Sequence, residues 1–165
     1  MTGGEPSPNV TAPVNWQVRL GAAGDIPEGL ALAAEGIDNS GFPQLPIDPE
    51  HLRGNLERAI TSDHALVLVL DVEGWGLQGA SFWFVSPSIH TPELSLSLHT
   101  AYIRPAWRNA RVFRGMHSWA VSWGKSKGVR QHLIGLETHE PGMDILWQRL
   151  GYTERSMHWG KLVGS

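Results

Sequence analysis

Apolar and polar residues alternate most regularly along residues 94–103, LSLSLHTAYI. Alternation of period two predicts a strand with Leu94, Leu96, Leu98, Thr100 and Tyr102 on one face. Ser95, Ser97, His99, Ala101 and Ile103 fall on the other. The same rule predicts a strand over Val14–Leu20, with Val14, Trp16, Val18 and Leu20 together. Ala65–Val72 is a continuous apolar run and reads as a buried strand. The turn EGWG joins it to Leu77–Val85, so the two are expected to pair antiparallel.

Three helices follow from spacings of three and four. The first begins IPEGLALAAEG, with Asp25 as N-cap, Pro27 in the first turn and Gly36 as its stop. The second follows Asp48 as N-cap and Pro49, and sets Leu52, Leu56 and Ile60 on one side. The third sets Phe113, Met116, Ala120 and Trp123 on one side and closes at Gly128. A strand over His132–Glu137, a short helix over Gly142–Leu150 stopped by Gly151, and a strand-like Tyr152–Val163 complete the chain. The order β-α-α-β-β-β-α-β-α-β predicts an α+β domain of three layers around a mixed sheet. Residues 1–13 lack periodicity and read as a disordered tail, leaving 14–165 as one domain.

Composition narrows the class. With 41% hydrophobic and 18% charged residues over 165 positions, the chain can bury a core. Its net charge of -3 supplies no general attraction to nucleic acid or anionic membrane. Cysteine is absent, which excludes disulfides and thiolate chemistry. No run is long and apolar enough to span a bilayer and no signal peptide is evident, so a cytoplasmic protein is expected. The histidines show no ligand spacing such as HExxH, and no metal is expected.

Against that acidic total, one local cluster is basic. Arg104, Arg108, Arg111 and Arg114 recur every three or four residues just where a strand gives way to a helix. Free amides and the positive end of the helix dipole make such a junction suited to an anion.

Three features here resemble the GNAT superfamily of N-acetyltransferases. Ile103-Arg104-Pro105 followed by Arg108 is similar to the family's V-x-P-x-x-R approach to its acyl-CoA loop. A glycine-terminated helix followed by a strand comes next. Ile145-Leu146-Trp147-Gln148-Arg149-Leu150-Gly151-Tyr152 resembles the closing L-Y-x-x-x-G-F segment. The resemblance covers roughly Trp16 to the C-terminus and is strongest over 94–159. It implies a mostly antiparallel mixed sheet whose central parallel strands, 94–103 and 131–138, splay apart. It also implies acetyl-CoA as co-substrate, bound by Ala101, Tyr102 and Ile103 along the strand. Arg108, Asn109, Ala110, Arg111, Val112, Phe113 and Arg114 would bind at the loop, with Glu140 and Trp147 beyond. The loop departs from the family's Q/R-x-x-G-x-G/A, because Arg111 and Phe113 stand where small residues are expected. Trp147 stands where the family often has an acid tyrosine. For proton handling the resemblance leaves His99, Ser97 and Glu137, and Phe42 and Trp83 would wall the acceptor site.

The function expected is acyl-CoA-dependent N-acylation, acetyl first, of a primary amine on a small molecule or protein, by a monomer or homodimer. Two alternatives stand beside it: a phage-type enzyme of the same fold that modifies DNA bases, and a non-catalytic binding module.

Overall fold

The computed structural model describes residues 14–39, 46–88, 91–134 and 143–153. Among the described residues five strands form one sheet in chain order: β1 (Trp16–Leu20), β2 (Ala65–Val72), β3 (Gly76–Pro87), β4 (Leu94–Ile103) and β5 (Gln131–Ile134). β1 to β4 run antiparallel, and β4 with β5 is parallel. Helices α1 (Ile26–Asp38) and α2 (Pro49–Thr61) cover one face; α3 (Ala110–Ser126) and α4 (Met143–Arg149) cover the other. This is the three-layer α+β fold that the element order predicts. Among the described residues β5 is the last strand of the sheet, and the segment beyond Thr153 lies outside them. Among the described residues no helix is long and apolar enough to cross a membrane.

Local chemistry explains most element ends. Asp48 caps α2, accepting from the amides of Glu50 and His51 at 3.0 Å, with Pro49 in the first turn. Gly128 takes φ 78° just past α3, and the Val129 amide donates back to the Gly124 carbonyl. Gly74 and Gly76, both at positive φ, turn β2 into β3.

Four sequence expectations change. Asp25 stands at the N-cap of α1 but makes no side-chain capping bond there; its carboxylate holds Arg19 at 2.7 and 2.9 Å and the Ala22 amide at 2.8 Å. Gly36 does not end α1, which runs to Asp38. It lies inside the helix, where a Cβ would meet the Tyr102 ring at 3.1 Å. The buried stripe of α3 is Val112, Met116, Ala120 and Gly124, with Phe113 and Trp123 only partly buried beside it.

The fourth change is the largest. Alternation along β4 is broken by a bulge: Trp83 pairs with Leu98 and Phe82 with Thr100, so His99 is an extra residue. Leu96, Leu98 and Ile103 therefore share the core under α3, while Tyr102 packs with Leu32, Val69 and Leu77 under α1. Gly79 lies opposite Ile103, where a Cβ would meet Ile103 Cγ1 at 2.9 Å and the Tyr102 carbonyl at 3.1 Å. Gly79→Ala should therefore destabilise the domain by about 1–3 kcal/mol, read as a lower urea midpoint at unchanged m-value.

Candidate functional site

On its β5 side, part of β4 has no neighbour among the described residues. Pairing with β5 runs only from Ser95 opposite Gln131 to Leu98 opposite Ile134. Beyond it His99, Thr100 and Ala101 are exposed, and no described strand covers that edge. A cavity of about 920 Å³ passes along this edge. On one side it is walled by α1, α2 and the Phe82 ring, and on the other by Phe113, Met116, His117 and Trp147 of α3 and α4. One space thus reaches both faces of the sheet at the point where β4 has no described partner on its β5 side.

The arginine junction is largely engaged within the protein. Arg104 does not face a ligand: it forms a two-pronged pair with Glu35 at 2.9 and 2.6 Å and also holds the Leu77 carbonyl. That hydrogen-bonded pair holds the Glu35 carboxyl below its ordinary 4.5 and raises Arg104. Arg108 lines the cavity; its Nε donates to the Ile103 carbonyl at 2.6 Å, and its guanidinium lies 5.5 Å from the Tyr102 ring centre. Arg111 stacks on Trp16 at 5.1 Å, and Arg114 is exposed.

The first amides of α3 also have a partner. The Asn109 side chain accepts from the Arg111 and Val112 amides at 3.1 Å, and the Phe113 amide donates to the Asn109 carbonyl. An anion at this helix start would have to displace that cap. Asparagine just ahead of a helix is a known capping signal, so this competition was readable in the sequence.

Of the expected site residues, the structure brings His99, Ala101, Tyr102, Ile103, Arg108, Phe113, Trp147 and Trp83 to the cavity wall. Trp83 does so from within the core, 2% exposed, its indole N–H donating to Ser81. Ser97 sits in the paired part of β4, between Phe84 and Leu133, and does not line the cavity. Neither do Asn109, Ala110, Arg111, Val112 and Arg114. Phe42, Glu137 and Glu140 lie outside the described residues. Among the described residues no group of three or more His, Asp or Glu could hold a metal ion.

Sequence reasoning missed an aromatic cluster. His117 Nε2 lies 3.0 Å from the Tyr152 hydroxyl, and the rings of His117, Tyr152 and Trp147 meet pairwise at 5.6–6.1 Å. Burial, with a smaller effect from His132, lowers His117, and burial pushes Tyr152 up to about 12. Both groups are neutral near pH 7, with the phenol available to donate to the imidazole. Trp147 is 7% exposed, and its indole N–H is buried with no partner among the described residues. The only sequence signal for His117 was its place four residues after Phe113, on the same side of α3.

No protein-family model matches the chain, and no curated protein matches its sequence. Solved structures do match. Glucosamine-6-phosphate N-acetyltransferase from Arabidopsis thaliana superposes with a TM-score of 0.72 at 10% identity, covering 91% of this chain and 99% of that one. The GNAT acetyltransferase fold is the fold of this chain. Two further structures with it are an aminoglycoside antibiotic 6′-N-acetyltransferase from Acinetobacter baumannii and a predicted acetyltransferase with acetyl-CoA from Clostridium acetobutylicum. The first has a TM-score of 0.70 at 14% identity, over 91% of this chain and 100% of that one. The second has 0.72 at 11% identity, over 90% and 96%. At such identities the likeness establishes the GNAT fold and its strand order, and the chemistry has to be argued from this chain's own residues.

A group whose folded-state pKa is lowered and which is neutral when deprotonated, as His117 is, contributes stability that is complete above its ordinary 6.5. That stability is lost as the pH falls toward the folded-state value, because the unfolded chain binds the proton first. His117→Gln should flatten the fall in urea midpoint between about pH 7.5 and about pH 5.5 relative to wild type.

Proposed function

We propose that the protein is an acyl-CoA-dependent N-acyltransferase that moves an acetyl group from acetyl-CoA to a primary amine of a small molecule or protein. One observation carries this reading. β4 continues for five residues beyond its last described pair with β5, and its exposed stretch 99–101 borders a cavity open to both faces of the sheet. Unpaired strand amides and carbonyls can bind an extended amide-bearing ligand as an added strand. The acetyltransferases that share the fold, one of them with acetyl-CoA, support the same assignment.

The residues present fit acetyl-CoA in part. The β4 edge at 99–101, which no described strand covers, suits its amide-bearing arm. The buried Trp147 N–H, without a partner among the described residues, suits a carbonyl or sulfur acceptor, since leaving a buried donor unpaired costs about 1–3 kcal/mol. The start of α3 fits less well, because Asn109 already occupies the Arg111 and Val112 amides. There Arg108, Arg111 and Arg114 would supply charge toward phosphates. Bound acetyl-CoA would supply an acetyl group activated as a thioester.

The chain's own groups divide the remaining work. His99, exposed on the bulge, would accept the proton that the attacking amine must lose. Trp147 would donate its N–H toward the charge that develops on the acyl oxygen or the departing sulfur. The indole is not an acid, so no proton passes from it. The His117–Tyr152 hydrogen bond and its ring contacts hold Trp147 in place.

The capped start of α3 favours a second reading, a binding module that retains the fold and takes no CoA. One titration separates the two. Acetyl-CoA at 100 times its dissociation constant should add about 2.7 kcal/mol of stability, seen as a rise in Tm. Arg108→Ala combined with Arg111→Ala should weaken that binding at least about 10-fold. Trp147→Phe should lower kcat on the order of 10²-fold with CoA affinity little changed. Absence of any thermal shift with CoA, acetyl-CoA or ADP would remove the acyltransferase reading and leave the binding module.

A further inference from the structure

The part of the cavity under α1 and α2 has a chemistry that bears on which amine could enter. Its bed is apolar, built from Leu32, Ile37, Leu56, Val67, Ala80 and Phe82. His99 stands edge-on to the Phe82 and Phe84 rings, 5.7 and 5.9 Å between centres, so the candidate base rests on an aromatic floor.

Two carboxylates border this chamber among the described residues, and both are already engaged. Asp25 is held by Arg19 through both oxygens, a contact that lowers its pKa. Asp48 is held by the first amides of α2. The polar rim has the opposite sign. His51, Asn55 and Arg58 line the chamber at spacings of four and three along α2, which puts them on one face of the helix. Arg58 hydrogen-bonds Asn55, a neutral partner that leaves its charge in place.

We infer that this chamber takes a monoamine with an apolar body, aromatic or aliphatic, and excludes amines that carry further positive charges. Its role as the acceptor site rests on the acyltransferase reading; its selectivity rests on the lining alone. An apolar body gains by leaving water for the bed. A second ammonium group would lose its hydration, find among the described lining residues no carboxylate without a partner, and meet the like charge of Arg58. In the transfer itself, the amine nitrogen would bond to the acyl carbon as the thioester C–S bond breaks. One amine proton would pass to His99 and on to solvent, and the thiolate would be released.

The test uses the full chain in two arms. Saturation-transfer NMR without CoA compares phenethylamine and tryptamine with spermidine and kanamycin. Turnover with acetyl-CoA, followed by thiol release, ranks the same amines. The apolar monoamines should bind and turn over at least about 10-fold better than the polycations. Gly29→Leu should abolish monoamine binding, because an added Cβ at Gly29 meets only Leu56 Cδ1 at 3.8 Å, so the larger side chain would extend into the chamber. Gly29→Ala is the folded control and should keep it. Arg58→Glu should narrow the gap for spermidine about 10-fold.

Spermidine binding as tightly as phenethylamine, or Gly29→Leu leaving phenethylamine binding intact, overturns the inference. Acetylation that favours spermidine overturns it too, while sustaining the enzyme. Selective monoamine binding with no CoA-dependent turnover keeps the chamber assignment and overturns the acyltransferase reading.

Discussion

The bulge at His99 is the constraint on which the rest of this structure depends. One extra residue opposite Phe82 and Trp83 reverses the facing of everything after it in β4. Ile103 turns into the core under α3, and Tyr102 turns out toward α1, where Gly36 leaves room for its ring. A bulged strand also bends away from its neighbour. Here β4 loses its described parallel partner one residue earlier, after Leu98. At the bulge itself a histidine stands over two aromatic rings, and the cavity runs beside it.

Around that edge, charge serves mainly to fix architecture. α1 is tied to the sheet by Glu28, which accepts from the Leu77 amide at 2.7 Å, and seven residues later by Glu35 with Arg104. Both ties come from one face of α1 and hold it as the wall of the chamber. Arg19 anchors the turn before α1 by bridging Asp25 and Asp71. Such half-exposed pairs add little stability individually, typically about 0–1 kcal/mol. Their consequence is positional: they consume the carboxylates and one of the four loop arginines, and leave the cavity apolar with a weakly basic rim. The α3 side is similar. Asn109 occupies the helix amides, and neutral aromatic groups fill the space beside Trp147, whose indole N–H is buried without a partner among the described residues.

The sequence by itself determined the layer order and most element ends. Those signals are local: Asp48 before Pro49, glycines at 74, 76 and 128 where φ must be positive, and alternation or three-four spacing within each element. The resemblance in 103–108 and 145–152 was local too, and it pointed to the GNAT fold later found in the solved structures. Tertiary structure decided what single-element patterns do not carry. Whether β4 alternates without interruption depends on its register with β3, so Tyr102 and Ile103 were assigned to the wrong faces. Whether a loop arginine meets a ligand depends on which carboxylate a distant helix delivers, and Glu35 claimed Arg104. The His117–Tyr152–Trp147 cluster joins residues 35 positions apart. Its neutral state comes from burial, which exists only once the chain has packed.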